Sequence, residues 1–272
     1  MDNNRIAARI VDCHFHVFGD IRQFPIQPTA SYTPRISSLA EHTSTFGLRG
    51  MTRRVIVAAS CYGTDNSCHL AALAEEGEQG RAVVSINNAI SDAQLTAMTK
   101  AGARGARFNT ISSGAMGYPE LFANAARMRA QGWHAELYTT AEKLGPVFDQ
   151  LMATGLDIVV AHYAELEPAD GLNQPAVRMM DRLLESGRGW LKLSAPYRVS
   201  TAPGYADLEP YAKHFLEVRG DRMVWGSDWS YIHYEDKLKN WDPMQPLAGW
   251  MTPAQAQAVY WDNPAQLYGI EG

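Results

Sequence analysis

The sequence predicts an α/β fold, a (β/α)8 barrel in a single domain spanning residues 1–272, and three observations carry the prediction. Eight short runs rich in β-branched and apolar residues recur along the chain, and amphipathic stretches lie between them. A chain of 272 residues also matches the roughly 250 residues that one closed barrel uses. No G-x-G-x-x-G turn follows any of the runs, which argues against the alternative, an open doubly wound sheet.

The first strand is expected at "RIVDCH" (9–14), and "RRVIVAA" (53–59), "RAVVSI" (81–86) and "RGARF" (104–108) follow it. The second half offers "WHAELY" (133–138), "DIVVA" (157–161), "GWLKL" (189–193) and "RMVWG" (222–226). Helical patterns separate them. "DNSCHLAALAEEG" comes first, and "SDAQLTAMTKAG" opens on Ser91 and Gln94, placed to exchange hydrogen bonds as a capping box. "PELFANAARMRAQG" has Pro119 where a helix tolerates a missing N–H and Gly132 where one ends. A closing helix, "TPAQAQAVYWDNPAQLYG", follows a long connection. No linker, internal repeat or low-complexity tract divides the chain.

Hydrophobic residues make up 46% of the chain and charged residues 19%, enough apolar material for a sizeable core. The formal net charge of −5, with no block of Lys and Arg, excludes the electrostatic footprint of a nucleic-acid or anionic-membrane binder. A small-molecule partner is expected instead. Cys13, Cys61 and Cys68 form no C-x-x-C pair and leave an odd thiol, so neither a disulfide framework nor a thiolate zinc site is expected. That usage fits the cytoplasm. The opening "MDNNRIAAR" has no apolar targeting core, and no stretch reaches the roughly 20 apolar residues that span a bilayer. Alternation along the first strand turns the Cys13 thiol away from the pocket as a small core residue, and Cys61 has no base partner to make it a nucleophile.

Barrel enzymes place their chemistry at the C-terminal ends of the strands. Those ends read His14 and His16, Ser60 and Tyr62, Asn87 and Asn88, Arg107 and Asn109, Tyr138, His162, Lys192 and Ser194 with Arg198 beyond, and Asp228. Each has an ordinary explanation on its own: Asn87 caps a turn, Lys192 pairs with a carboxylate, Tyr138 is a rim aromatic. Together they converge on one mouth. Three imidazoles facing one carboxylate suit a zinc or manganese ion with an open position for water. They equally suit a metal-free hydrolytic set in which Asp228 takes a proton from water and the imidazoles hydrogen-bond a carbonyl gaining negative charge. Arg107 and Arg198 match a substrate carboxylate, or else tie strands together as salt bridges.

The motifs "DCHFHVFG", "FPIQPTASYTP", "VIVAASCYGTDNS", "GARGARFN", "GWHAELY", "VVAHYAE", "WLKLSAPYRVS", "VWGSDWS" and "NPAQLYG" stand in an order that resembles the amidohydrolase superfamily. Within it the chain is most similar to the branch of 2-pyrone-4,6-dicarboxylate lactonase and related sugar-lactone and muconolactone hydrolases. The resemblance covers almost the whole chain. It implies a distorted TIM barrel that opens a lactone, with Asp228 activating water and His14, His16 and His162 contacting the carbonyl. It also implies substrate contacts at Tyr32, Ser60, Tyr62, Arg107, Tyr138 and Arg198. No metal is required in that lactonase, whereas other branches of the superfamily need one; the alternative is a single zinc or manganese on His14, His16, His162 and Asp228. A metal-dependent decarboxylase or hydratase, a lactone isomerase, and a binding protein on the same scaffold are the competing readings.

Three departures bear on the substrate. The branch carries Asp-His-Met-Gly where this chain has Ala161, His162, Tyr163 and Ala164, followed by Glu165. Ser112 and Ser113 of "TISSGAMG" stand where the dicarboxylate enzyme has basic residues, and strand five brings Glu136. A lactone with one carboxylate, or a neutral polyhydroxylated one, is therefore expected. The segment 229–250, with Trp229, Tyr231, Tyr234, Trp241 and Trp250, is either a lid over the mouth or the contact of a homo-oligomer.

Overall fold

Residues that alternate between two apolar environments force each strand to be buried on both faces, and here they wind eight parallel strands into one sheet. The structure, a computed structural model, describes residues 9–46, 50–112 and 115–271. Its strands are β1 (Ile10–Phe15), β2 (Met51–Val57), β3 (Gly80–Val84), β4 (Ala103–Asn109), β5 (His134–Tyr138), β6 (Ile158–Val160), β7 (Gly189–Ser194) and β8 (Met223–Gly226). They pair in the order β1 to β8, every pair parallel. All eight expected strands are present. Their ends shift by up to two residues, as at β2, where the chain leaves the sheet after Val57 to form the short turn Ser60–Tyr62.

The ring is closed between β1 and β8 by polar links. His16 N–H donates to Trp229 O (2.7 Å) and Asp228 N–H to His14 O (2.8 Å). Buried Asp12 completes the seam, its Oδ2 receiving Ser227 Oγ–H at 2.6 Å and lying 2.9 Å from His42 Nε2, while its Oδ1 receives Ser227 N–H at 2.9 Å. Gly226 permits this approach, because a Cβ there would lie 2.7 Å from His14 N.

Two apolar layers result. Val11, Cys13, Val55, Val57, Val83, Val159, Trp190 and Val224 fill the barrel interior, with Tyr268 and Trp261 from the last helical segment packed against them. The larger layer lies between strands and helices, where Pro175–Glu185 buries Val177, Met180, Leu183 and Leu184 at helical spacing. The expected capping box is present, with Gln94 N–H on Ser91 Oγ and Ser91 N–H on Gln94 Oε1. Pro119 sits in the first turn of Tyr118–Ala130. The closing helix is continuous but contains a π-turn at Ala258–Asp262. Among the described residues no helix is long and apolar enough to cross a membrane.

One orientation differs from expectation. A register shift between Asp12 and Phe15 breaks the alternation, so Cys13 joins the inner layer beneath the site instead of facing outward. It remains a small buried residue. The segment 229–250 folds back on the barrel, burying Trp229, Tyr231, Leu238 and Leu247, and its Tyr234 and Trp241 rings lie 4.8 and 5.5 Å from that of Tyr197.

Candidate active site

At the end of β1 the backbone delivers His14 and His16 into the barrel mouth, and β8 ends in a turn that places Asp228 opposite them. His162 arrives differently. It begins a turn, His162–Glu165, whose four residues have φ of 55, 53, 57 and 52°, a left-handed coil that costs about 1 to 2 kcal/mol per residue. Such strain persists where surrounding structure over-determines it, as it does at functional sites. The three Nε2 atoms converge on Asp228 Oδ1, at 3.5 Å from His14, 3.7 Å from His16 and 3.7 Å from His162. None of the four residues is more than 2% exposed.

The other oxygen of Asp228 is fully engaged. Tyr197 donates to Oδ2 at 2.5 Å and Arg198 Nε at 3.0 Å. Oδ1 and His14 Nε2 have no hydrogen-bond partner although both are buried. Burial works to raise the Asp228 pKa, but the Arg198 guanidinium outweighs it and holds the carboxyl well below the usual carboxylate range. Burial and nearby cations act together on the histidines. His16 falls to about 4 through burial and Arg107, His162 to about 3 chiefly through burial, and His14 well below its ordinary value through burial and Lys192. The site therefore holds a carboxylate among neutral imidazoles.

Below them lies a buried ion pair. Lys192 Nζ donates to Glu136 Oε2 at 2.6 Å and to Cys13 O at 2.7 Å, and stands 3.3 Å from His14 Nδ1. Glu136 Oε1 is 3.2 Å from the same nitrogen. Glu136 thus faces the barrel interior. His16 Nδ1 lies 2.8 Å from Val57 O, which can only accept, so its neutral ring carries the proton there and presents a lone pair at Nε2. His162 Nδ1 shares a 2.9 Å hydrogen bond with Ser194 Oγ.

Donor atoms of His14, His162 and Asp228 lie within 4.8 Å of one another, and two of them are the orphaned buried atoms already named. That set, with His16 beside it, fits a divalent metal such as zinc or manganese.

The substrate contacts expected from resemblance divide. Arg107 and Tyr138 flank the centre: Arg107 Nη1 donates to Ala58 O at 2.9 Å, its Nε is buried without a partner, and the guanidinium stands 5.7 Å from the Tyr138 ring. Tyr138 in turn packs edge-on against His162 at 5.2 Å. Tyr32 and Ser60 meet at 3.5 Å, beside the cleft that Ser60, Arg107 and Asn109 line. Arg198 is tied to Asp228, the salt-bridge alternative. Tyr62 is not brought to the mouth: its ring is buried between Phe18 and His69 and its hydroxyl accepts Gly19 N–H at 3.2 Å. Asn87 and Asn109 serve their own turns, accepting Ala89 N–H and the N–H groups of Ile111 and Ser112, and Asn88 accepts from Asn124. Ser113 lies outside the described residues. The sequence did not single out Tyr197, although it adjoins Arg198 in "APYR", nor the Asp12, His42 and Ser227 seam.

Folded-state neutrality of these imidazoles makes stability depend on pH. His134 and His69, buried away from the mouth, are likewise lowered to about 4 and about 3, in both cases mainly by burial. An unfolded histidine gains its proton below about 6.5 while these folded ones do not, so the native state loses stability as pH falls from 6.5 toward 4. A single such group predicts a Tm lower by roughly 4 to 5 °C at pH 4.5 than at pH 7.5. Equal melting temperatures at the two pH values would contradict the burial of neutral histidines.

The amidohydrolase family model matches residues 11–270. The 2-pyrone-4,6-dicarboxylate hydrolase of Comamonas testosteroni is 31% identical over 281 residues, covering 98% of this chain and 92% of the relative. The 4-sulfomuconolactone hydrolase of Hydrogenophaga intermedia is 30% identical over 268 residues, covering 95% and 88%. A crystal structure described as a 2-pyrone-4,6-dicarboxylic acid hydrolase from Pseudomonas putida superposes with a TM-score of 0.85 at 27% identity, covering 98% of this chain and 99% of that one. Eight parallel strands closing on an aspartate and three histidines, matched over nearly the full length, place this chain in the amidohydrolase family.

Proposed function

We propose that this protein is a lactonase, opening the cyclic ester of a small carboxylated or polyhydroxylated ring with water activated by Asp228 and with no metal required. The observation that carries the reading is the unpartnered Oδ1 of Asp228 facing three neutral imidazoles in a site closed to solvent. His16 Nε2 and Asp228 Oδ1 are both acceptors 3.7 Å apart, so a water between them satisfies both with its two protons and keeps a lone pair for attack. Asp228 takes one proton as the water oxygen bonds to the lactone carbonyl carbon. Lys192 Nζ beside His14 Nδ1 favours N–H at His14 Nε2, aimed at the carbonyl oxygen as it gains charge, and His162, whose Nδ1 shares a hydrogen bond with Ser194 Oγ, presents its Nε2 beside it. Collapse of the tetrahedral intermediate breaks the ring C–O bond. The proton held by Asp228 passes to the leaving oxygen, giving a hydroxy or enol acid. Arg107, with an unpartnered buried N–H, receives a ring carboxylate.

The relatives' names support a lactone as the substrate. A metal on His14, His162 and Asp228 would supply Lewis acidity and a more acidic water at the same place. The partner is a small molecule and not nucleic acid or a membrane, and the three free, buried cysteines support a cytoplasmic setting.

The test is acid release from a panel of pyrone, muconolactone and aldonolactone substrates, before and after dialysis against a chelator. Turnover of at least one lactone, unchanged after dialysis and with metal far below one equivalent per chain, is the expected result. About one equivalent of zinc or manganese, with activity lost on its removal and restored on its return, would assign water activation to the metal.

A further inference from the structure

The left-handed turn that carries His162 also carries a carboxyl. Its coil has about three residues per turn, so Glu165 returns to the side of His162. Glu165 is half-buried, and its Oε1 is fully buried with no hydrogen-bond partner. Burial, with Asp228 nearby, lifts its pKa above the ordinary carboxyl value, and Arg198 and the Tyr138 hydroxyl offset only part of that rise. Arg198 already gives its Nε to Asp228. That bond fixes its guanidinium against the carboxylate of Asp228. Arg107 is differently placed, since its Nε has no partner.

We infer that Glu165 determines specificity: its Oε1 accepts a hydrogen bond from a hydroxyl on the lactone ring and repels a second ring carboxylate, so the substrate is a hydroxylated lactone with at most one carboxylate, received by Arg107. A buried acceptor left unpaired rejects a substrate lacking the donor more strongly than any apolar contact does. Like charges brought together in a closed, low-dielectric mouth are repelled far more than in water. This inference rests on the lactonase reading.

Steady-state kinetics of the wild type, Glu165→Gln and Glu165→Ala test it on three probes: an aldonolactone, muconolactone and 2-pyrone-4,6-dicarboxylate. The wild type should favour the aldonolactone over the dicarboxylate by about tenfold or more in kcat/KM. Glu165→Gln keeps shape and an acceptor but removes charge, and should raise kcat/KM for the dicarboxylate by about tenfold while changing the aldonolactone by less than about threefold. Glu165→Ala should lower the aldonolactone value by about tenfold, mainly through KM. Lactone hydrolysis with the dicarboxylate best in the wild type, or an equal change for all three probes in both variants, overturns the role of Glu165 and leaves the lactonase reading standing. No turnover of any probe by the wild type overturns both.

Discussion

Asp228→Asn should lower kcat by roughly 10² to 10⁴-fold, the scale of a lost general base, while the barrel stays folded and the lactone still binds. The asparagine is isosteric. Its carbonyl can replace Oδ2 as acceptor for Tyr197 and Arg198, and its NH2 then points at His16 Nε2, where a lone pair waits. What the amide cannot do is take the proton of water. Stopped-flow or steady-state assays, with product-analogue binding measured in parallel, separate the two effects. Turnover within a few-fold of wild type would remove Asp228 from the chemistry.

The second large effect concerns stability. Lys192→Met leaves the Glu136 carboxylate alone in the floor of the barrel and strips Cys13 O of its donor. Both side chains of the pair are 0% exposed. Burial raises the Glu136 pKa and Lys192 more than reverses this, holding the group ionised. Breaking a buried pair from one side typically costs about 3 to 5 kcal/mol, whereas replacing both partners is far milder. Denaturant unfolding of Lys192→Met, Glu136→Gln and the double variant should therefore show two large single losses and partial recovery in the double. Additive losses would mean that the two groups do not depend on each other.

Much of this was readable in advance because it is written in local patterns. Runs such as "VIV" and "IVV" read as fully buried strands wherever they fold, and His14, His16, His162 and Asp228 were exposed as a set by standing at strand ends. What was hidden depends on cross-barrel geometry. Tyr62 looked like a mouth residue, but the turn Ser60–Tyr62 rotates it into the core. Alternation failed at Cys13 because a bulge, invisible to a period of two, lies between Asp12 and Phe15. Arg198 was legible as either a substrate contact or a salt bridge, and only the fold brings Asp228 Oδ2 to within 3.0 Å of its Nε. Nothing in the sequence of four ordinary residues announces the left-handed turn at His162.

The seam between β1 and β8 also sets when the enzyme can exist. His14 and His16 come from the first strand and Asp228 from just beyond the last, and they meet through the backbone bond from Asp228 N–H to His14 O. Contacts so far apart in the chain carry the largest loop-closure cost and form late. During synthesis a ribosome-bound chain that has emerged only as far as β7 holds His14, His16 and His162 without Asp228. On the proposed mechanism turnover begins only when the two ends of the barrel have found each other, so activity would report completed closure.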